Sequence, residues 1–344
     1  MLRCFHRVPL LAFPLLLARV GAPLAAQDYH VGHTYTLGGD GGWDYLALDT
    51  VGHRMFIARQ NRVMVVNPDN GTLLGEVPGL NRAHGVAFDY AGGHGFATSG
   101  GDSTVYMFDL KSLAVVGTIH AAEDDDAILY DPATRRIYTM NGDAESATAI
   151  DPATARNVGT IPLGGKPEFG VSDGTGRLFI NLEDKAEIAE VDPATLSVTR
   201  HWSIGPCESP TGLAIDVAHR RLFSGCRNGL MAISDAEAGR LLTTTPIGRG
   251  VDACRFDPGT QLAFASNGEG TITVIHEDAP DQFTVVANVP TRQGARTMEL
   301  DLVTHRLYTA TADFGPAPAP TADHPRPRPP LIPGTFAVLE VEDR

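Results

Sequence analysis

Seven polar residues recur at one position of a repeat in this chain: Asp44, His84, Asp126, Glu168, Thr211, Asp252 and Arg296. Each stands five residues before an aspartate. Those aspartates, Asp49, Asp89, Asp131, Asp173, Asp216, Asp257 and Asp301, are spaced 40 to 44 residues apart. Neighbouring positions of the repeat are more apolar, so the polarity belongs to the position. Two carboxylates about 8 Å apart at an effective dielectric of about 20 repel by roughly 2 kcal/mol. Four held at one level therefore call for a cation, shared protons or the Arg296 guanidinium. Oxygen ligands from Asp44, Asp126, Glu168 and Asp252 suit Ca2+, Mg2+ or Mn2+, and His84 widens the choice to Zn2+ or Fe2+. A wet cleft also favours polar residues without any metal, which leaves a metal-free ligand site open.

The elements that must position these residues follow from the spacing. A period of roughly 40–45 residues with four short strands per unit is the pattern of a β-propeller. The repeat around Asp131 shows the order: strands at 127–130, 136–140, 147–150 and 157–161. Asp131-Pro132-Ala133-Thr134 turns between the first two, and Asp151-Pro152-Ala153-Thr154 turns between the last two. Aspartate and proline here serve turn geometry rather than acid–base chemistry. The expected fold is all-β, a seven-bladed propeller of four-stranded blades over residues 27–344. Residues 33–37 read as an outer strand before the first repeat, and 336–341 as a third strand with no fourth behind it. The N-terminal strand is therefore expected to join the C-terminal blade and close the ring, leaving no open edge.

In a propeller the loops between blades, and those between second and third strands, crowd one face around the central channel. The seven polar residues then form a channel mouth. Trp43, Tyr45 and Phe169 flank it as stacking or packing residues, Glu123, Asp124 and Asp125 extend its acidity, and Lys166, Arg249 and Arg292 balance it. Residues 313–334 carry eight prolines in 22 and read as an extended loop inserted in the last blade on the same face.

Arg3 and Arg7, an apolar stretch over 8–17 and Ala25-Ala26 read as an export leader spanning residues 1–26. The apolar stretch is too short to cross a bilayer, and no membrane span is expected in the mature chain. Without its three arginines the formal charge moves from −14 to −17. So acidic a body is a poor partner for nucleic acid. Cys207, Cys226 and Cys254 remain, an odd count that suggests one disulfide in an oxidising compartment. Cys207–Cys226, within one repeat, is favoured over Cys226–Cys254 across two. Gly170-Val171-Ser172-Asp173-Gly174 matches G-x-S-x-G but lacks the strand-to-helix turn a nucleophile needs.

Asp131-Pro132-Ala133-Thr134 with Arg136-Ile137-Tyr138, and Val191-Asp192-Pro193-Ala194-Thr195-Leu196, resemble YVTN-type repeats of YncE-like secreted bacterial propellers. Trp43-Asp44-Tyr45-Leu46, Lys166-Pro167-Glu168-Phe169 and Gly294-Ala295-Arg296-Thr297-Met298 share the likeness. The resemblance implies a seven-bladed periplasmic or secreted protein and brings no settled activity. Two functions compete. One is binding of a small ligand or a periplasmic protein partner at the loop face. The other is a divalent-metal-dependent hydrolase or lactonase, with a ring-held cation polarising a carbonyl and His84 or Glu168 as general base.

Overall fold

The computed structural model describes residues 28–321, 327 and 329–344. The leader read at residues 1–26 lies outside them, as do residues 322–326 and 328 of the proline-rich loop. The described chain is all-β, built of short antiparallel strands in six sheets. Among the described residues no helix is long and apolar enough to cross a membrane.

The blade count expected from the repeats is corrected by these sheets: the propeller has six, not seven. Five are four-stranded and one is six-stranded. In chain order β1 is His30–Thr36, β2 Leu46–Asp49, β3 Arg54–Val66, β4 Leu73–Asp89, β5 His94–Ser99, β6 Thr104–Asp109 and β7 Val115–His120. The six-stranded sheet runs β2-β3-β4-β5-β6-β7 and absorbs the repeats anchored at both Asp49 and Asp89. Its cause lies in the shortest spacing of the chain, the 40 residues from Asp49 to Asp89. The third repeat breaks its ladder with a loop between Arg136–Asn141 and Ser146–Asp151. The first repeat instead turns tightly at Gln60 (φ 48°), and Gln60 pairs directly with Ala83 of β4. Hydrogen bonding thus runs on where other repeats interrupt it.

The ends complement one another. β1 pairs antiparallel with Ala337–Glu342, from His30 opposite Glu342 to Thr36 opposite Ala337. Behind that seam Arg59 is fully buried. Its guanidinium donates to the carbonyls of Gly38, Asp40, Gly41 and Gly42 and lies 3.7 Å over the Phe336 ring. Arg59 so ties the glycine-rich link between β1 and β2 to the closing sheet. The innermost strands touch in circular order, and Met298–Leu300 comes back to β2.

Second and third strands of the blades are buried along most of their length, as in Leu262–Asn267, because each sheet is covered on both faces. Outermost strands such as Val115–His120 are mostly exposed, with Ile119 alone turned inward. The repeat aspartates are at most 7% exposed and work as turn staples. Asp49 accepts from the Gly52 amide at 2.8 Å, Asp131 from Thr134 at 2.9 Å and Asp257 from Gly259 at 2.8 Å. This local bonding is why aspartate opens a turn after every inner strand.

Candidate functional site

Irregular pairing aims the ring residues. Five inner strands slip register at the ring position: between Ala83 and Val86, Asp125 and Ile128, Pro167 and Gly170, Pro210 and Leu213, and Val251 and Ala253. His84, Asp126, Glu168, Thr211 and Asp252 lie inside those slips. An extra residue bends the strand and turns its side chain off the ladder. Freed carbonyls are then bonded by buried polar side chains. Thr98 donates to Asp126 O at 2.6 Å, Asn181 to Thr211 O at 2.9 Å, Thr297 to Asp44 O at 3.1 Å, and Ser266 to Arg296 O. Every such bond keeps the bulge from leaving a buried carbonyl unpaired.

The slips bring six of the seven ring residues into one charged group. His84 Nδ1 lies 2.6 Å from Asp44 Oδ2 and 3.3 Å from Asp126 Oδ1. Arg296 Nε donates to Asp252 at 2.6 Å, and its far nitrogen is 3.9 Å from Asp44. Glu168, 9% exposed, lies 3.7 Å from Arg227, which is itself paired to Glu183 at 2.9 Å. Thr211 is different. It is fully buried and its hydroxyl donates to Val251 O at 2.8 Å, so it braces the scaffold and leaves the group.

Tyr45 and Phe169 close the channel beneath this ring. They come from the first and fourth repeats, yet their rings meet at 5.2 Å. The Tyr45 hydroxyl is pushed well above the ordinary phenol range by burial and then by the charges of Asp126, Glu168, Asp252 and Asp44. We call the charged ring with this aromatic pair beneath it the cup. Trp43 packs on Phe336 at 5.4 Å with Arg296 stacked 5.8 Å above it, and so stiffens the rim. Phe314, at the base of the proline-rich loop, touches the same tryptophan, and Arg292 pairs with Asp313 there.

Charge in the cup is unbalanced. Burial first, and then neighbouring acids, hold Asp126 and Glu168 above the ordinary carboxylate range. Burial raises Asp252 too, against the pull of Arg296. Behind them Asp125 is fully buried and pushed to about 8 by burial. Burial alone would lower His84, but the Asp44 hydrogen bond and the charges of Asp126 and Asp44 outweigh it and hold it at about 9. One Nδ1 proton serves two carboxylates, so Asp126 Oδ1 is buried without a hydrogen bond, as is His84 Nε2. Asp44, His84 and Asp126 each offer a ligand atom within 4.8 Å of the others, near enough for one ion.

Of the counter-cations expected from the sequence, Arg296 joins the ring and Lys166 lies 3.9 Å from Asp124. Lys166 pairs with Asp143 at 3.1 Å and Arg292 with Asp313, while Arg227 is the one that reaches Glu168. Arg227 sits between the second and third strands of its repeat, and the register of those loops was the signal for it. Cys207 and Cys226 are joined, with Cα atoms 5.4 Å apart, and Cys254 is a buried free thiol pushed to about 12 by burial.

No protein-family profile matches the chain, and no curated protein matches it. Among solved structures the chain is similar to one of Kuenenia stuttgartiensis hydrazine synthase, with a TM-score of 0.69. The two share 14% identity over 78% of this chain and 92% of that one. At that identity the likeness extends to the fold alone, a β-propeller.

Proposed function

We propose that this chain is an exported, YncE-like propeller that binds a positively charged small ligand in the loop-face cup, a divalent cation being the simplest. One observation carries the reading. Asp44, Asp126, Glu168 and Asp252 face His84, Arg296 and an Arg227 that is already paired to Glu183, and Asp126 keeps a buried oxygen with no hydrogen bond. A cation there would replace shared protons and discharge the mutual repulsion of the acids. Export is supported by the leader-like first 26 residues and by the Cys207–Cys226 bond, which suits a periplasmic or secreted protein.

Binding fits the cup better than hydrolysis does. In the ion-free cup the imidazole, held at about 9, carries its proton at neutral pH and acts as a donor rather than a general base. Calorimetric titration of the mature chain, purified without chelator, with Mn2+, Ca2+ and methylammonium tests the reading. At least one should bind at one equivalent in wild type and at least about tenfold more weakly in Asp126→Asn. Equal binding by both chains, or none by either, would sink it. Lactone or ester turnover on adding the metal would move the assignment to the hydrolase.

A further inference from the structure

A second histidine–carboxylate cluster lies on the opposite, turn-bearing face, between the sheets that hold Pro210–Asp216 and Thr271–Ala279. Asp216 serves its turn with both oxygens, Oδ1 accepting from the Ala218 amide at 2.9 Å and Oδ2 from the His219 amide at 3.3 Å. Its Oδ2 lies 2.7 Å from His219 Nδ1, and the same nitrogen is 3.3 Å from Glu277 Oε1. Glu277 enters from the neighbouring sheet, 4% exposed, and neither of its carboxylate oxygens has a hydrogen-bond partner. Two buried carboxylates thus face one ring nitrogen that can carry a single proton. The nearby arginines are engaged elsewhere. Arg221 bonds Pro280 O and Asp281, and Arg220 bonds Glu237.

We propose that Asp216, His219 and Glu277 form a binding site for a divalent transition-metal ion of the zinc type. Their ligand atoms lie within 4.8 Å of one another. Tetrahedral bonds of about 2.0–2.2 Å place ligand atoms about 3.3 Å apart. The His219–Glu277 distance already matches, and Asp216 would draw back by about 0.6 Å from hydrogen-bond range. Neutral imidazole with two carboxylates balances a charge of two and satisfies the Glu277 oxygen that faces the nitrogen. The histidine side chain is 37% exposed while its Nδ1 and both Glu277 oxygens are buried, so the ring would swing outward to admit the ion.

The other repeats give the contrast. Asp257 meets His305 alone at 2.7 Å, and Asp49 meets Arg54 at 2.6 Å. Of these three anchors, only Asp216 is joined by a second acid from the next sheet.

Zinc titration of the mature chain carrying Asp126→Asn, which weakens binding at the cup, tests the assignment. One equivalent should bind and raise the melting temperature. Adding His219→Ala or Glu277→Gln should weaken that binding by about 100-fold or more and abolish the thermal shift. Without zinc, Glu277→Gln should melt no lower than its parent, which separates loss of a ligand from loss of fold. Unchanged zinc uptake in these variants, no uptake by the parent chain, or a zinc-free Glu277→Gln chain that melts below its parent would overturn the proposal.

Discussion

At its loop end the central channel presents Asp44, His84, Asp126, Glu168, Asp252 and Arg296. At its turn end the same inner strands present Leu48, Phe88, Tyr130, Ser172, Ile215, Phe256 and Leu300, six of the seven aromatic or aliphatic. Two adjoining hollows of about 540 and 410 Å3 line that second mouth and share Ile128, Leu129, Tyr130 and Glu299. Arg255 and Glu299, the charged pair on that wall, satisfy one another through two bonds of 2.9 and 3.1 Å. Solvation alone would favour polar residues at both mouths. The difference is that charge gathers at the loop end, where Asp126 keeps an oxygen without a hydrogen bond, while the charged pair at the turn end is closed.

The contrast predicts effects of opposite sign. Removing Arg255 strands Glu299 in a largely buried setting, so Arg255→Ala should cost about 3 kcal/mol in chemical denaturation. A loss below about 1 kcal/mol would mean the turn-end pair is not a closed unit. Removing an acid from the cup should do the reverse. Glu168→Gln should gain about 1–2 kcal/mol at pH 8, because it deletes a buried carboxylate surrounded by other acids. The sign follows from the raised folded-state affinity of Glu168 for its proton. Stability from a neutral Glu168 is complete below the ordinary carboxylate range and is lost as the pH climbs toward the folded value. The Gln advantage should therefore vanish near pH 4. Denaturation curves giving the same gain at both pH values would point to packing rather than charge.

Fold and site were legible to different depths. Turn aspartates and β-branched runs announce strands locally, and the incomplete ends at 33–37 and 336–341 announce the seam that β1 makes. The blade count failed because sheet continuity depends on loop length at one place. Only the 40-residue spacing hinted that Gln60 would reach Ala83. Polarity at the ring position was visible in the sequence, but its division was not. Thr211 is the one member whose side chain cannot carry charge, and the register slip after Pro210 turns its hydroxyl to Val251 O. Glu277 was invisible for the same reason, since its meaning comes from Asp216 on a different sheet.

The central claim, that protons hold the place of a cation in the cup, is tested most directly by counting them. Mn2+ binding to the mature chain should be followed calorimetrically at pH 6.5 in buffers of differing ionisation enthalpy, with wild type compared against a chain in which Asp126 is Asn. Wild type should release about one proton or more per ion bound, since His84 and the raised carboxyls are protonated beforehand, and the variant should release fewer. Binding without proton release, or identical release from both chains, would contradict the account.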